Sequence, residues 1–137
     1  MPPLTENTVH DYQVGEKEAY PVSASVTIFE GAAVGIALDL TGYARPLQAG
    51  DRFVGFAEFM ADNSAGTPGA NRVEVRKKGN IVLDVIGADI LANNRPAVYA
   101  SADDTFTLTE LGNSKIGYVS RWISGTQCVV EFDATGV

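Results

Sequence analysis

Apolar and polar residues alternate in short stretches along most of the chain. In the stretch RVEVR, Val73 and Val75 alternate with Arg72, Glu74 and Arg76, which is the period of two typical of a half-buried strand. Similar stretches, bounded mostly by Gly, Asn, Asp or Pro, are AVGIALDL, RFVGFAEF, NIVLDVIG, PAVYA, FTLTE, KIGYVSRWI and QCVVEFD. Because turn-forming residues punctuate them so regularly, we predict an all-β fold: a compact small β-barrel or sandwich of about nine short strands.

Three stretches give more specific predictions. RFVGFAEF is apolar on both sides, which favours a central strand or one between two layers. The Gly79-Asn80 pair between RVEVRKK and IVLDVIG predicts a hairpin. Residues 88–93 allow one helical turn, and no window of ten or more residues has helical spacing.

The first 20 residues differ from the rest. They are polar, include Pro2 and Pro3, and show neither strand nor helix periodicity. We therefore predict a flexible, extended N-terminal arm over residues 1–20, followed by a single all-β domain over residues 21–137. Tyr12 and Tyr20 are candidate contact residues, because an aromatic side chain on a flexible segment is a suitable anchor in a neighbour's groove.

The densest positive charge follows the longest run of turn-forming residues, DNSAGTPGAN. We expect that run to be an exposed loop, which leads into a strand with a cationic outer face. Arg72, Arg76, Lys77 and Lys78 are therefore candidate contacts to a partner protein or to an adjacent copy, and such contacts set register more than affinity. The alternative is a solvated edge strand whose charge prevents aggregation between sheets. Lys77 alternates in phase with the two valines, so we expect it either to lie at the end of the sheet or to extend its charged end to solvent along the apolar surface.

Size and charge narrow the classes of function. The chain has 137 residues, of which 45% are hydrophobic and 20% charged, as expected for one globular domain. The formal net charge of −7 argues against a nucleic-acid binder, which needs a positive contact face. No run of about 18 apolar residues predicts a membrane span. The single cysteine, Cys128, excludes an internal disulfide and is predicted to be a buried apolar residue.

Catalytic and metal-binding patterns are missing from the sequence. His10, the only histidine, lies in the predicted arm, where it is poorly placed for catalysis. A calcium site at Asp62, Asn63 and Ser64 competes with turn formation, which we favour because no spaced series of ligands follows. The glycines match neither phosphate-binding motif. We therefore predict no catalytic, cofactor or metal residue and no enzymatic activity.

The order of motifs resembles a known family. The succession AYPVSASVTIFEGAAVGIALDLTGYARP, FVGFAEFMADNSAGTPGANRVEVRKKG, PAVYASADDTFTLT and SKIGYVSRWISGTQCVVEFD is similar to the capsid cement, or head decoration, proteins of tailed bacteriophages and prophages. The similarity covers about residues 19–133. Its most specific parts are residues 30–38 followed by Gly42-Tyr43, and the loop of residues 62–66 leading into residues 73–76.

This resemblance implies a structural protein of the virion. It implies binding to the outer surface of the icosahedral head, where the protein bridges neighbouring major capsid subunits and stabilises the expanded shell. The implied partner is the major capsid protein, the implied location is the capsid exterior after production in the host bacterial cytoplasm, and the implied assembly is a homo-oligomer, with a trimer favoured. In several such proteins an N-terminal arm reaches the shell.

Two other classes stay open. One is a different virion or tail-associated β-barrel binding module, including a carbohydrate-binding one, which requires an exposed aromatic platform flanked by polar side chains. The other is a small trimeric β enzyme such as a nucleotide hydrolase. The chain has a suitable length for that class but lacks its phosphate and metal motifs.

Overall fold

The computed structural model describes residues 6–7, 15–39 and 41–135. These residues form twelve β-strands and one short 3-10 helix, Ile90–Asn94, which confirms the all-β prediction and the single helical turn. Four of the strands have only three residues, too few to give an alternating pattern, so the expected nine strands are an undercount. The strands are β1 (Lys17–Pro21), β2 (Val26–Ile28), β3 (Ala33–Ile36), β4 (Ala44–Pro46), β5 (Arg52–Ala57), β6 (Ala61–Asn63), β7 (Arg72–Arg76), β8 (Lys78–Ile86), β9 (Ala97–Ala102), β10 (Thr105–Thr107), β11 (Ser114–Ser124) and β12 (Gln127–Asp133).

The first seven strands form one sheet and a small ladder beside it. The sheet has the order β1-β7-β5-β3-β4, and β2 pairs with β6. Val22, directly after β1, makes a parallel bridge to Ala44 of β4, so the two edge strands of the sheet meet. The first seven strands and their connections contribute a core of small and β-branched residues: Val22, Ile28, Ala32, Val34, Ala44, Val54, Ala57, Ala61, Val73 and Val75.

The last five strands form a closed barrel in the order β10-β8-β12-β11-β9. The parallel pair of β10 with β8 closes it, and the long antiparallel ladder of β8 with β12 runs from Lys78 to Asp84. A larger core fills the barrel and includes Cys128, which is fully buried as predicted. A closed barrel leaves no free edge in this half of the chain.

The predicted hairpin at Gly79-Asn80 is wrong. β7 and β8 belong to different sheets, and the chain crosses from one to the other at Lys77. Gly79 and Asn80 are not a turn, because they pair with Phe132 and Glu131 inside the β8–β12 ladder. The two residues are in the order Gly-Asn, whereas the tight hairpin signal is strongest for Asn-Gly.

Strand β5 is central, as its two apolar sides predict. It lies between β7 and β3, and its two faces belong to different cores: Phe53 and Phe56 pack in the barrel, whereas Val54 and Ala57 pack in the first sheet. Phe56 meets Phe132 edge to face, with ring centroids 4.9 Å apart, a geometry that aromatic rings favour. One strand therefore joins the two cores.

The predicted arm is wrong at its C-terminal end. Lys17–Tyr20 belongs to β1, which pairs with β7 in the register Lys17↔Arg76 to Pro21↔Arg72. The sequence KEAYP lacks apolar alternation because no residue of β1 is fully buried, so hydrogen bonds to β7, more than burial, fix the strand. His10 and Tyr12 lie outside the described residues.

Gly117 is a point where β11 and β12 approach closely. The ladder of β11 with β9 shifts register between Lys115 and Gly117. A Cβ at position 117 would collide with the carbonyl oxygen of Glu131 and lie 2.8 Å from the Cα of Phe132. Both obstacles are backbone atoms, so neither can move away without opening the ladder.

We therefore expect Gly117→Ala to lower the free energy of unfolding by about 3 kcal/mol, the upper end of the usual cost of overpacking. The measurement is urea denaturation followed by tryptophan fluorescence. Gly15→Ala is the control, because a Cβ there meets nothing within 4 Å. Equal stabilities of the two variants would contradict the close approach.

Candidate contact surface

Strand β7 has the predicted alternation. Val73 and Val75 are buried, and Arg72, Glu74 and Arg76 are exposed. However, β7 pairs with β1 on one side and β5 on the other, so the interpretation of this segment as a solvated edge strand is wrong. The edge is β1, which the sequence pattern does not predict.

Part of the positive charge of β7 is balanced by one carboxylate, that of Glu58. Glu58, just after β5, accepts a hydrogen bond from Arg76 Nη2 at 2.9 Å and contacts Lys17 Nζ at 3.1 Å. The hydrogen bond from Arg76, and then that from Lys17, hold the pKa of Glu58 below its ordinary value. The outer face of the strand is thus a mixed ion-pair network, rather than the cationic face that the strand's own sequence indicates.

Arg72 is tied to the edge of the sheet. Its Nη2 donates to the carbonyl oxygen of Ala19 at 3.3 Å, and the backbone N–H of Ala19 donates to Glu18 Oε1 at 3.2 Å. The backbone groups of Glu16 and Val22 point toward β7. Because successive residues of a strand direct their backbone groups to opposite sides, those of Ala19 point away from β7. Two charged side chains therefore occupy the edge groups that another strand would need.

Tyr20 is half-buried in its own subunit. Its side chain packs against the first core, and burial, followed by the charge of Glu18, raises its pKa. Its ring is thus engaged within the chain. Tyr12 lies outside the described residues, and its contact with a neighbour stays a prediction.

Lys77 and Lys78 lie where the chain crosses between the two sheets. The backbone of Lys77 is held on both sides, by Glu16 O and by Ala134 N, each at 2.8 Å, and its position between β7 and β8 agrees with its expected place at the end of the sheet. Beside it is an open cleft of about 490 Å³, whose charged lining residues are Arg76, Lys78, Glu16, Glu131 and Asp133. The structure thus brings Arg76 and Lys78 together, and places Arg72 at the opposite end of β7.

Asp62 and Asn63 end strand β6, and the turn begins at Ser64, so the predicted exposed loop is wrong at its first two residues. Asp62 Oδ1 accepts hydrogen bonds from Ser64 N and Thr27 Oγ1, both at 3.0 Å. Asn63 is buried and donates through Nδ2 to the carbonyl oxygens of Ser23 and Thr67. Among the described residues no group of three His, Cys, Asp or Glu side chains is placed to hold a metal ion.

A buried ion pair that the sequence pattern does not reveal fixes the β4–β5 turn. Arg45 donates to both carboxylate oxygens of Asp51, at 2.7 and 3.0 Å, and the Gln48 N–H donates to the same carboxylate. A Cβ at Gly35 would lie 2.8 Å from Asp51, so glycine makes room for the pair. The bidentate geometry and the fully occupied carboxylate indicate a structural role.

Apolar side chains on the surface are the second feature missed from the sequence. Phe29, Phe59 and Met60 are 62%, 58% and 58% exposed. Phe29 follows the last residue of β2 and Met60 precedes the first of β6, so both extend from the same end of that ladder. Leu38, Ile86, Ile90, Leu91 and Leu111 are also exposed. Their position next to turns was the sequence signal for exposure, because burial is not required there. The prediction that Phe59 lies within a strand is wrong, since β5 ends at Ala57.

No protein-family model matches the sequence, and no curated protein matches it. Within residues 6–7, 15–39 and 41–135 no helix is long and apolar enough to cross a membrane. The resemblance to capsid cement proteins stays a prediction.

The ion pairs of Glu58 predict a pH-dependent contribution to stability. Because its folded-state pKa is below the ordinary 4.5, its ionised form stabilises the fold above that pH, and this stabilisation is lost as the pH falls through the folded-state pKa. Glu58→Gln should therefore lower the free energy of unfolding at about pH 7 and flatten its decline between about pH 5 and pH 2.

Urea denaturation at a series of pH values measures this effect. Glu30→Gln is the matched control, since Glu30 is exposed and makes no ion pair among the described residues. If both variants kept the wild-type pH dependence, the network around Glu58 would not contribute to stability.

Proposed function

We propose that this chain is a phage capsid cement protein, which binds the outer surface of an icosahedral head and bridges neighbouring major capsid subunits. The observation that carries the proposal is an all-β body with large apolar side chains exposed in several separate places, including the consecutive residues Phe59 and Met60 and the pair Ile90 and Leu91. Exposed apolar side chains that lie next to one another are typical of sites for protein partners. The motifs that resemble cement proteins supply the identity of the partner.

A rigid body with separate contact sites suits this role. Strand β5 joins the two cores, so contact sites on the first sheet and on the barrel keep a fixed spacing. When one such body touches two shell subunits, the second contact forms at high effective concentration, and weak individual contacts give a strong attachment. A flexible linker between the sites would lose much of this gain.

Electrostatics would set orientation in this assembly rather than supply most of the affinity. Glu58 already pairs with Arg76 and Lys17, and exposed ion pairs contribute little free energy each. Lys78 and Arg72 remain accessible beside this network. We therefore propose that these two residues and Lys77 contact carboxylates of the capsid and so fix the orientation in which the chain binds.

The test uses expanded heads assembled from the major capsid protein of the same genome and emptied of DNA. The purified chain should co-sediment with these heads at a saturating, stoichiometric ratio and raise the temperature at which they disassemble, because it binds only the assembled state. Unexpanded shells serve as the comparison. Absence of binding to expanded heads would overturn the proposal, and binding to purified tail structures instead would favour the tail-associated module.

Deleting residues 1–14 examines the predicted arm in the same assay. The deletion leaves β1 and the ion pair of Lys17 intact, so the β-fold should persist by circular dichroism, while the affinity for expanded heads should fall by about tenfold or more. Tyr12→Ala in the full-length chain removes only the candidate anchor and should weaken binding in the same direction. Undiminished binding of the deletion variant would remove the arm from the mechanism without affecting the rest of the proposal.

A further inference from the structure

One end of strand β3 carries an apolar and acidic surface. Phe29, Glu30, Asp103 and Asp104 line a cleft of about 380 Å³ with Gly31 and Ala32, and no cation is among its lining residues. The carbonyl oxygen of Asp103 accepts the N–H of Ala33 at 2.8 Å, which fixes the β9–β10 turn beside the start of β3. We call this surface the acidic end.

The other end of β3 carries an apolar and basic surface. Leu38 is 66% exposed and lines two adjoining clefts, one with Ile36 and Arg52 and the other with Arg52 and Lys115. Lys115 is held in place by Tyr118, whose hydroxyl lies 2.6 Å from its Nζ. We call this surface the basic end.

The carboxylates near the basic end are already engaged. Asp51 also lines one of its clefts, but Arg45 occupies both of its oxygens. Asp39, next to Leu38, accepts hydrogen bonds from the N–H and hydroxyl of Thr41. Asp39 keeps its negative charge but lines neither cleft, and among the residues that line the two clefts Arg52 and Lys115 are the charged side chains outside the Arg45–Asp51 ion pair. Glu110 is the remaining acid that acts on Lys115, and its effect on the pKa of that lysine ranks last among the causes.

The two ends face away from one another. Ala32 lines the acidic end and Ala37 the basic end, five residues along an extended strand, or roughly 16 Å. One copy therefore cannot bring its own two ends into contact, but two copies can.

We infer that the acidic end of one copy binds the basic end of a second copy, with Phe29 and Leu38 packed at the centre and Glu30, Asp103 and Asp104 facing Arg52 and Lys115. The charges are complementary, each end has one protruding apolar side chain, and each offers a cleft of about 380 Å³ to receive it. Apolar anchors surrounded by complementary charge are typical of specific interfaces.

This contact joins two different surfaces, so it is heterologous. Such contacts build a closed ring when the rotation between copies closes and an open chain when it does not. The inference goes beyond the proposed function and does not depend on it, because it concerns copies of this chain in the absence of heads.

The test is sedimentation velocity of the full chain over a range of concentrations. The wild type should assemble beyond the monomer, and the assembly should weaken in about 1 M salt, where the screening length falls to about 3 Å. Two double variants each remove one end: Phe29→Ser with Asp104→Asn, and Leu38→Ser with Arg52→Gln. All four side chains are exposed, so the fold should persist.

Each double variant alone should be monomeric. A 1:1 mixture of them should form a dimer and nothing larger, because the intact basic end of one variant meets the intact acidic end of the other. Leu91→Ser is the control, since this leucine is 68% exposed and lies in the helix Ile90–Asn94, outside the lining of both ends, and it should assemble as the wild type does.

Three results would overturn the inference: a wild type that stays monomeric, double variants that assemble like the wild type, or a mixture that forms no dimer. None of these results bears on head binding, so failure here is distinguishable from failure of the proposed function. A variant that loses assembly yet still saturates expanded heads would show that the chain binds the shell as a monomer.

Discussion

The burial of both faces of β5 is the constraint on which the rest of the structure depends. Its side chains serve two cores at once, with Phe53 and Phe56 in the barrel core and Val54 and Ala57 in the core of the first sheet. The register shift against β3 at Val34 and Gly35 interrupts strict alternation and allows this division. A register slip of one residue would exchange aromatic and small side chains between two cores of different size. This requirement fixes the two halves of the molecule relative to each other, and with them the spacing of the surface sites.

The same arrangement explains why charge alone describes the surface poorly. Strand β7 is cationic in sequence, but pairing with β1 and β5 brings Lys17 and Glu58 to its outer face. The ion pairs of Glu58 contribute to local order, and the hydrogen bonds that Arg72 and Glu18 make with Ala19 cover the edge. Exposed apolar side chains at the ends of short strands are the stronger indication of where another molecule binds, and the charges around them select which one.

The sequence predicted features that depend on local periodicity. The alternation of Val73 and Val75, the two apolar sides of β5, the turn that begins at Ser64 and the burial of Cys128 all follow from neighbouring residues. It failed where distant strands decide the outcome: β1 is a strand because β7 pairs with it, Gly79 is not a turn because Phe132 lies opposite, and the Arg45 and Asp51 pair forms across a loop. The exposure of Phe59 and Met60 was missed because an apolar residue near a turn has the same sequence signature whether it is buried or not.

The proposed role requires that one rigid body touch at least two shell subunits from outside. Electron cryomicroscopy of expanded, emptied heads incubated with the chain tests this most directly. The account predicts density for the double-cored β-body on the outer surface, at junctions between neighbouring capsid subunits, with contacts to more than one of them. Heads without added density, or density confined to the interior of the shell or to a single subunit, would contradict it.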